Sequence, residues 1–191
     1  MARKLFAPLV ITLMILVLFP NTGMAASKSL SVENYSQEKS QWCWVTAGQI
    51  VIRYLSGTYY SQCTLYKAGK ATTSCSANEP GGFYADTARV LQHGKVYVGY
   101  VGTGLPPMYT ITDEIDKNQP MLARIGWKSD PSTGHMLVIR GYDTSGSNVR
   151  YVYPKQSSSY SDRTSEYRTS TWSYLKDNSS WELTHTRYQM N

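Results

Sequence analysis

The periodicities of this chain are segregated, helical spacing in the first half and short strand-like runs in the second, and that order constrains its fold more than any other feature. Ala47, Ile50, Val51, Tyr54 and Leu55 recur at helical spacing between Trp42 and Leu55, and Ser56-Gly57 offers a stop. A second helical pattern runs from Phe83 to His93, with Ala85, Ala88, Val90 and Leu91 inward and Gly94 as the cap. Lys95 to Val101 alternates like a strand, and Thr112-Asp113-Glu114 opens a short helix to about Asn118. Apolar or β-branched runs then follow at Met121 to Trp127, His135 to Tyr142 and Asn148 to Tyr153, separated by turn-forming residues. Further strands are expected around Ser170 to Tyr174 and Trp181 to Tyr188. Ser27 to Ser40 reads as an extended arm or loop, and Tyr59 to Pro80 as a polar loop with one helical turn. Helices before strands imply an α+β fold with segregated layers, an N-terminal helical part packed on a C-terminal antiparallel β-sheet. A cleft between the two parts is where a nucleophile and a base from distant segments would meet.

The first residues stand apart from this pattern. Arg3 and Lys4 precede an apolar run from Leu5 to Phe19, and Pro20, Asn21 and Gly23 lead to the small pair Ala25 and Ala26. A basic start, a short apolar run and small residues after it have the form of a secretory signal peptide. Residues 1–25 are therefore expected to be removed, by a cut after Ala25 or Ala26. The run is shorter than the roughly 20 residues of a spanning helix. Residues 26–191 suit a single domain, secreted and monomeric, with no membrane span after signal removal.

The formal net charge is +6, but the Lys and Arg residues of the remainder are scattered singly. A nucleic-acid partner calls for clustered basic residues, so none is expected. The charge suits contact with anionic cell-wall or cell-surface material. Gly99, Gly102 and Gly104 run into Pro106-Pro107 and cannot form a phosphate-cradling turn before a helix. His93 and His185 are isolated from other ligand-type residues, so no metal and no cofactor is expected.

Three cysteines in an exported chain are informative. Cys63 and Cys75 lie close together in a polar stretch, and pairing them would contribute on the order of 3 kcal/mol by restricting the unfolded chain. Cys43 would then be an unpaired, reactive thiol. The alternative, Cys43 bonded to either of the others, leaves a loop cysteine free.

Cys43 lies at the start of the first helical pattern, after the polar string Gln37-Glu38-Lys39-Ser40-Gln41-Trp42. The unpaired N–H groups and dipole of a helix N-terminus favour a thiolate there. His135, after Gly134 at the start of an apolar run, supplies a base. The Gln37 side-chain amide and the Cys43 backbone N–H supply donors for an oxyanion. Buried structural roles for the thiol and the histidine are the competing reading, because a free cysteine packs well as a small hydrophobe.

Glutamine, five residues, Cys-Trp and a helix, followed by Gly-His-Met-Leu-Val-Ile-Arg-Gly-Tyr-Asp, resembles the papain-like cysteine peptidases. The likeness is to the compact bacterial secreted type related to bacteriocin-processing peptidase domains, and it spans Gln37 to about Pro154. Gln62-Cys63 and the Pro120 to Trp127 strand are further parts of it. The resemblance implies a peptide or protein substrate, with Cys43 as nucleophile, His135 as base and Gln37 as the oxyanion glutamine. One position departs from the pattern. Tyr153, in Tyr151-Val152-Tyr153-Pro154, stands where that family carries an Asp or Asn that orients the imidazole. Gln156 and Asp143 are the candidate substitutes. The departure keeps a catalytically inactive binding module, or a secreted toxin or effector, as alternatives to a peptidase. Transpeptidase or amidase chemistry would use the same groups.

Overall fold

The computed structural model describes residues 26–156 and 165–191. The expected signal segment and the serines from Ser157 to Ser161 lie outside them. Helices α1 (Cys43–Ser56), α2 (Gln62–Lys70), α3 (Ala85–His93) and α4 (Met108–Asp116) precede most of the strands. The strands are β1 (Ser27–Ser29), β2 (Tyr100–Thr103), β3 (Met121–Trp127), β4 (Asp130–Asp143), β5 (Asn148–Tyr153), β6 (Glu166–Thr171) and β7 (Trp181–Tyr188), with the short helix α5 (Trp172–Lys176) between the last two. They form one seven-stranded antiparallel sheet in the order β2-β7-β3-β4-β5-β6, with β1 paired to the far end of β4. The α+β class and the antiparallel sheet agree with the sequence reading.

Helix α1 is the centre of the helical layer. Residues Trp44 to Ile52 are all buried, and the helix packs on β3 and β4 on one side and on α2 and α3 on the other. A helix buried nearly all round derives its stability from packing more than from propensity. Gly57 ends it in the left-handed conformation, at φ 69°.

Several elements differ from expectation: β4 already begins at Asp130, and Trp172–Lys176 is helix α5 where a strand is expected around Ser170 to Tyr174. Gln62–Lys70 is a full helix, not one turn in a loop, capped by Ser61, whose hydroxyl accepts from the Thr64 N–H. It buries Gln62, Leu65, Tyr66 and Gly69, a narrow face inside a polar composition. Helix α4 starts at Met108, after Pro107, because Ile111 and Ile115 bury together. The Thr112 hydroxyl bonds back to the Tyr109 carbonyl and caps nothing. In α3 the inward face is Thr87, Val90 and Leu91, and Ala85 is exposed. The strand expected at Lys95 forms only from Tyr100, since Gly99 turns the chain at φ 62° where a side chain would strike the Tyr188 carbonyl.

Cys63 and Cys75 are disulfide-bonded and Cys43 is free. The bridge ties α2 to the segment that leads to Gly81 and Gly82. Lys39 strengthens the connection by donating to the carbonyls of Cys75 and Ser76 at 2.6 and 2.7 Å while lying over the Trp42 ring. Asn78 bridges the Gln41 N–H and the Ser40 hydroxyl. The loop before α1 and the loop before α3 are thus fastened to each other. No helix among the described residues is long and apolar enough to cross a membrane.

Candidate active site

A cavity of ≈ 380 Å³ lies where the N-terminus of α1, the Pro80–Phe83 segment and the β3–β4 hairpin meet. Cys43 and His135 both line it. Cys43 is the first residue of α1, and no side chain caps that terminus. Its first-turn N–H groups therefore have no side-chain cap. The backbone N–H groups of Met136, Trp44 and Cys43 face the sulfur, so the residue following His135 touches the nucleophile candidate directly.

The imidazole is held on two sides. Its Nε2 lies 2.8 Å from the Pro154 carbonyl oxygen. A carbonyl only accepts, so Nε2 carries the proton and the lone pair is on Nδ1. Tyr153 stacks on the ring at 4.3 Å between centroids and 27° between planes. Arg168 covers the other face of Tyr153 at 3.9 Å, and Glu166 receives that guanidinium at 2.6 Å. Tyr153 therefore contributes a flat surface, and the hydrogen bond expected of the orienting side chain comes from the next residue's backbone. Asp143 accepts from the Ser145 N–H and hydroxyl in a turn. Gln156 forms a bridge with Gln37.

Gln37 is buried, and both hydrogens of its amide are engaged with turn carbonyls, Lys39 at 3.0 Å and Ser40 at 2.9 Å. Its Oε1 is buried without a partner among the described residues. Gln41, two residues before the cysteine, lines the cavity, and Gln37 is not among the lining residues. Gln62 braces the same loop from below. It accepts from the Glu38 N–H and the Thr46 hydroxyl, and donates to the Ser36 carbonyl and to Gln49. Two side chains of the site gave no signal in the sequence: Arg124 in the wall and Arg168 behind Tyr153. Each acts through a tertiary contact that no local spacing encodes.

Electrostatics favour neutral groups. Burial pushes the Cys43 thiol up, against the pull of the three N–H groups and of Arg124. Burial pushes His135 down to about 4, with the Pro154 carbonyl opposing and Arg168 adding to the depression. The resting pair is thus thiol and imidazole. This has a consequence for stability. Above pH 6.5 the histidine is neutral in both folded and unfolded chains and its contribution is complete. Between about 6.5 and 4 the unfolded chain binds the proton first, so stability falls with pH by up to about 3 kcal/mol. Urea midpoints from pH 7 to 4 are expected to fall more steeply for the native protein than for His135→Gln, and equal slopes would contradict the burial of a neutral imidazole.

Two glycines let the cavity walls approach their neighbours closely. Gly134 lets β3 approach, since a side chain there would lie 2.1 Å from the Ile125 carbonyl oxygen. Gly81 does the same for the opposite wall, where an added Cβ would lie 2.2 Å from the Trp44 ring.

Residues 29–187 match the model of the Peptidase_C39-like family. The chain belongs to that family. Membership supports cysteine peptidase function and a peptide substrate for this Peptidase_C39-like protein. A search of curated proteins returns no match. Among the described residues of this family member no group of three or more His, Cys, Asp or Glu is placed to hold a metal ion.

Proposed function

We propose that this protein is a secreted papain-like peptidase in which Cys43 attacks a peptide carbonyl and His135 handles the proton. The observation that carries the reading is the meeting of Cys43, at an uncapped helix N-terminus, with the His135–Met136 edge of β4 in one cavity. Because the resting groups are neutral, His135 acts as a general base during the attack and not as half of a preformed ion pair. The thiol proton passes to Nδ1 as the C–S bond forms, and the Pro154 carbonyl holds the Nε2–H and keeps the ring in register. The backbone N–H of Cys43 stabilises the oxyanion. Gln37 is the second donor in this reading, after one of its two turn hydrogen bonds is exchanged for the substrate oxygen. Collapse of the intermediate breaks the C–N bond, with the Nδ1 proton going to the leaving amine. Water, deprotonated by His135, then hydrolyses the thioester and restores the thiol.

Secretion rests on the signal-like segment 1–25, and the bacteriocin-processing type of relative rests on the motif resemblance. With an amine in place of water the same groups would carry out transpeptidation. A monomer with an affinity for anionic surface material completes the reading. A second reading, an inactive domain that binds a partner in the cavity, is favoured by one observation. A backbone carbonyl faces the imidazole where a carboxylate would stabilise the imidazolium more. Incubation of the non-reduced mature protein with a mixed peptide library separates the two. Cleavage by the native chain and none by Cys43→Ala is expected, whereas an intact library with the folded native protein would overturn the enzymatic reading.

A further inference from the structure

Arg124 is the one member of the cavity wall whose charge the reaction does not use. It projects from β3, lines the cavity with Cys43 and His135, and lies close enough to Cys43 to favour its thiolate. Its two hydrogen bonds go to neutral oxygens, the Thr184 hydroxyl from Nη1 at 3.0 Å and the Thr133 carbonyl from Nη2 at 3.3 Å. Among the described residues no carboxylate lies within ion-pair distance of it. The cations nearby in the fold are treated differently: Arg168 is paired with Glu166 and Lys70 with Asp86.

Among the described residues no Asp or Glu lines the cavity. The guanidinium lies against Gly126 and Gly134, where added side-chain carbons would come within 3.5 Å of Nη1 and 3.1 Å of Nη2. Two glycines of the hairpin thus leave room for the fork one residue away from His135. A guanidinium offers five N–H donors in a plane and matches a carboxylate two at a time. An unneutralised cation in a concave site with low-dielectric walls also raises the local concentration of anions.

We infer that Arg124 binds a carboxylate of the substrate beside the reacting thiol, making the cavity selective for acidic or carboxyl-terminal peptide segments. The inference rests on Cys43 being the reacting group but not on peptide hydrolysis. The carboxylate comes either from an Asp or Glu side chain near the scissile bond or from the free C-terminus of the peptide.

Two small reagents test the site without any assumption about turnover. Iodoacetate and iodoacetamide both alkylate Cys43, and the disulfide keeps Cys63 and Cys75 out of the reaction. A change in the thiol's own ionisation alters both rates together, so their ratio reads only the attraction for the carboxylate. At pH 9 and low salt, Arg124→Gln is expected to lower the iodoacetate-to-iodoacetamide ratio about tenfold, with Arg124→Lys retaining most of it. A ratio unchanged in Arg124→Gln, or lost equally in Arg124→Lys, overturns the inference. Matched peptides identify the source. A preference for Glu over Gln near the cleaved bond assigns the side chain, and a preference for a free over an amidated end assigns the terminus. Cleavage indifferent to both overturns the inference. If no peptide is cleaved while the reagent ratio still depends on Arg124, the carboxylate site stands and the peptidase reading falls.

Discussion

Replacing His135 with alanine is expected to reduce peptide turnover by about 10²- to 10⁴-fold, the range for removing a general base. Its ring is fixed by the Pro154 carbonyl on Nε2 and by the Tyr153 face, which leaves Nδ1 as the only proton acceptor it can offer. With the thiol's ionisation suppressed by burial, no alternative route to the thiolate exists near neutral pH. The variant should recover part of its rate as pH rises and the thiol ionises unaided. Tyr153→Phe is the companion, because the tyrosine contributes its ring and not its hydroxyl to the imidazole. Turnover close to that of the native chain is expected. A loss in Tyr153→Phe comparable to that in His135→Ala would return the hydroxyl to the orienting role.

The largest effect on stability is expected at Trp44. Its indole is buried between α1, the Gly69 turn of α2 and Gly81, with the ring tilted at 5.9 Å from Tyr66 and its N–H donated to the Glu79 carbonyl at 3.3 Å. It also forms part of the cavity wall. Trp44→Ala removes a large apolar surface and leaves a void that two glycine-bearing segments cannot fill with side chains of their own. A loss of about 3–5 kcal/mol is expected from urea denaturation, the range for truncating a buried aromatic. The Pro80–Phe83 wall should loosen with it, so limited proteolysis near Gly81 is expected to accelerate in native buffer. A loss under about 1 kcal/mol, typical of surface positions, would contradict this packing.

Much of the sheet was legible because its strands carry short runs rich in apolar, aromatic or β-branched residues between turn residues. Met121–Trp127, Asn148–Tyr153 and Trp181–Tyr188 have the bounds expected of them. Helix α1 was equally plain, since five apolar positions repeat at one spacing. Helix α2 was hidden because it buries Gln62 and Gly69 beside only two large apolar residues, and the partners that satisfy Gln62 come from α1 and the loop before it. The start of α4 was misplaced because a Thr-Asp-Glu string has the chemistry of a cap. Nothing local shows that Pro107 had already begun the helix.

At the site, the positions of Cys43 and His135 along the chain were legible from residue type and from the helix start. What surrounds them was not. A backbone carbonyl at Pro154 has no side-chain signature, and a guanidinium on β3 is indistinguishable in sequence from a solvated one. Whether a glutamine's amide faces a turn or a cavity is likewise decided by loop geometry, as the contrast between Gln37 and Gln41 shows.

The central claim, that Cys43 is an activated nucleophile served by His135, is tested most directly by labelling the non-reduced mature protein with an epoxide inhibitor of papain-like enzymes and locating the adduct by mass spectrometry. Modification confined to Cys43, slowed strongly in His135→Ala and with Cys63–Cys75 recovered as a disulfide, is the predicted result. An unlabelled Cys43 in a folded native protein, or labelling equally fast without His135, would contradict the account and turn the cavity into a binding site.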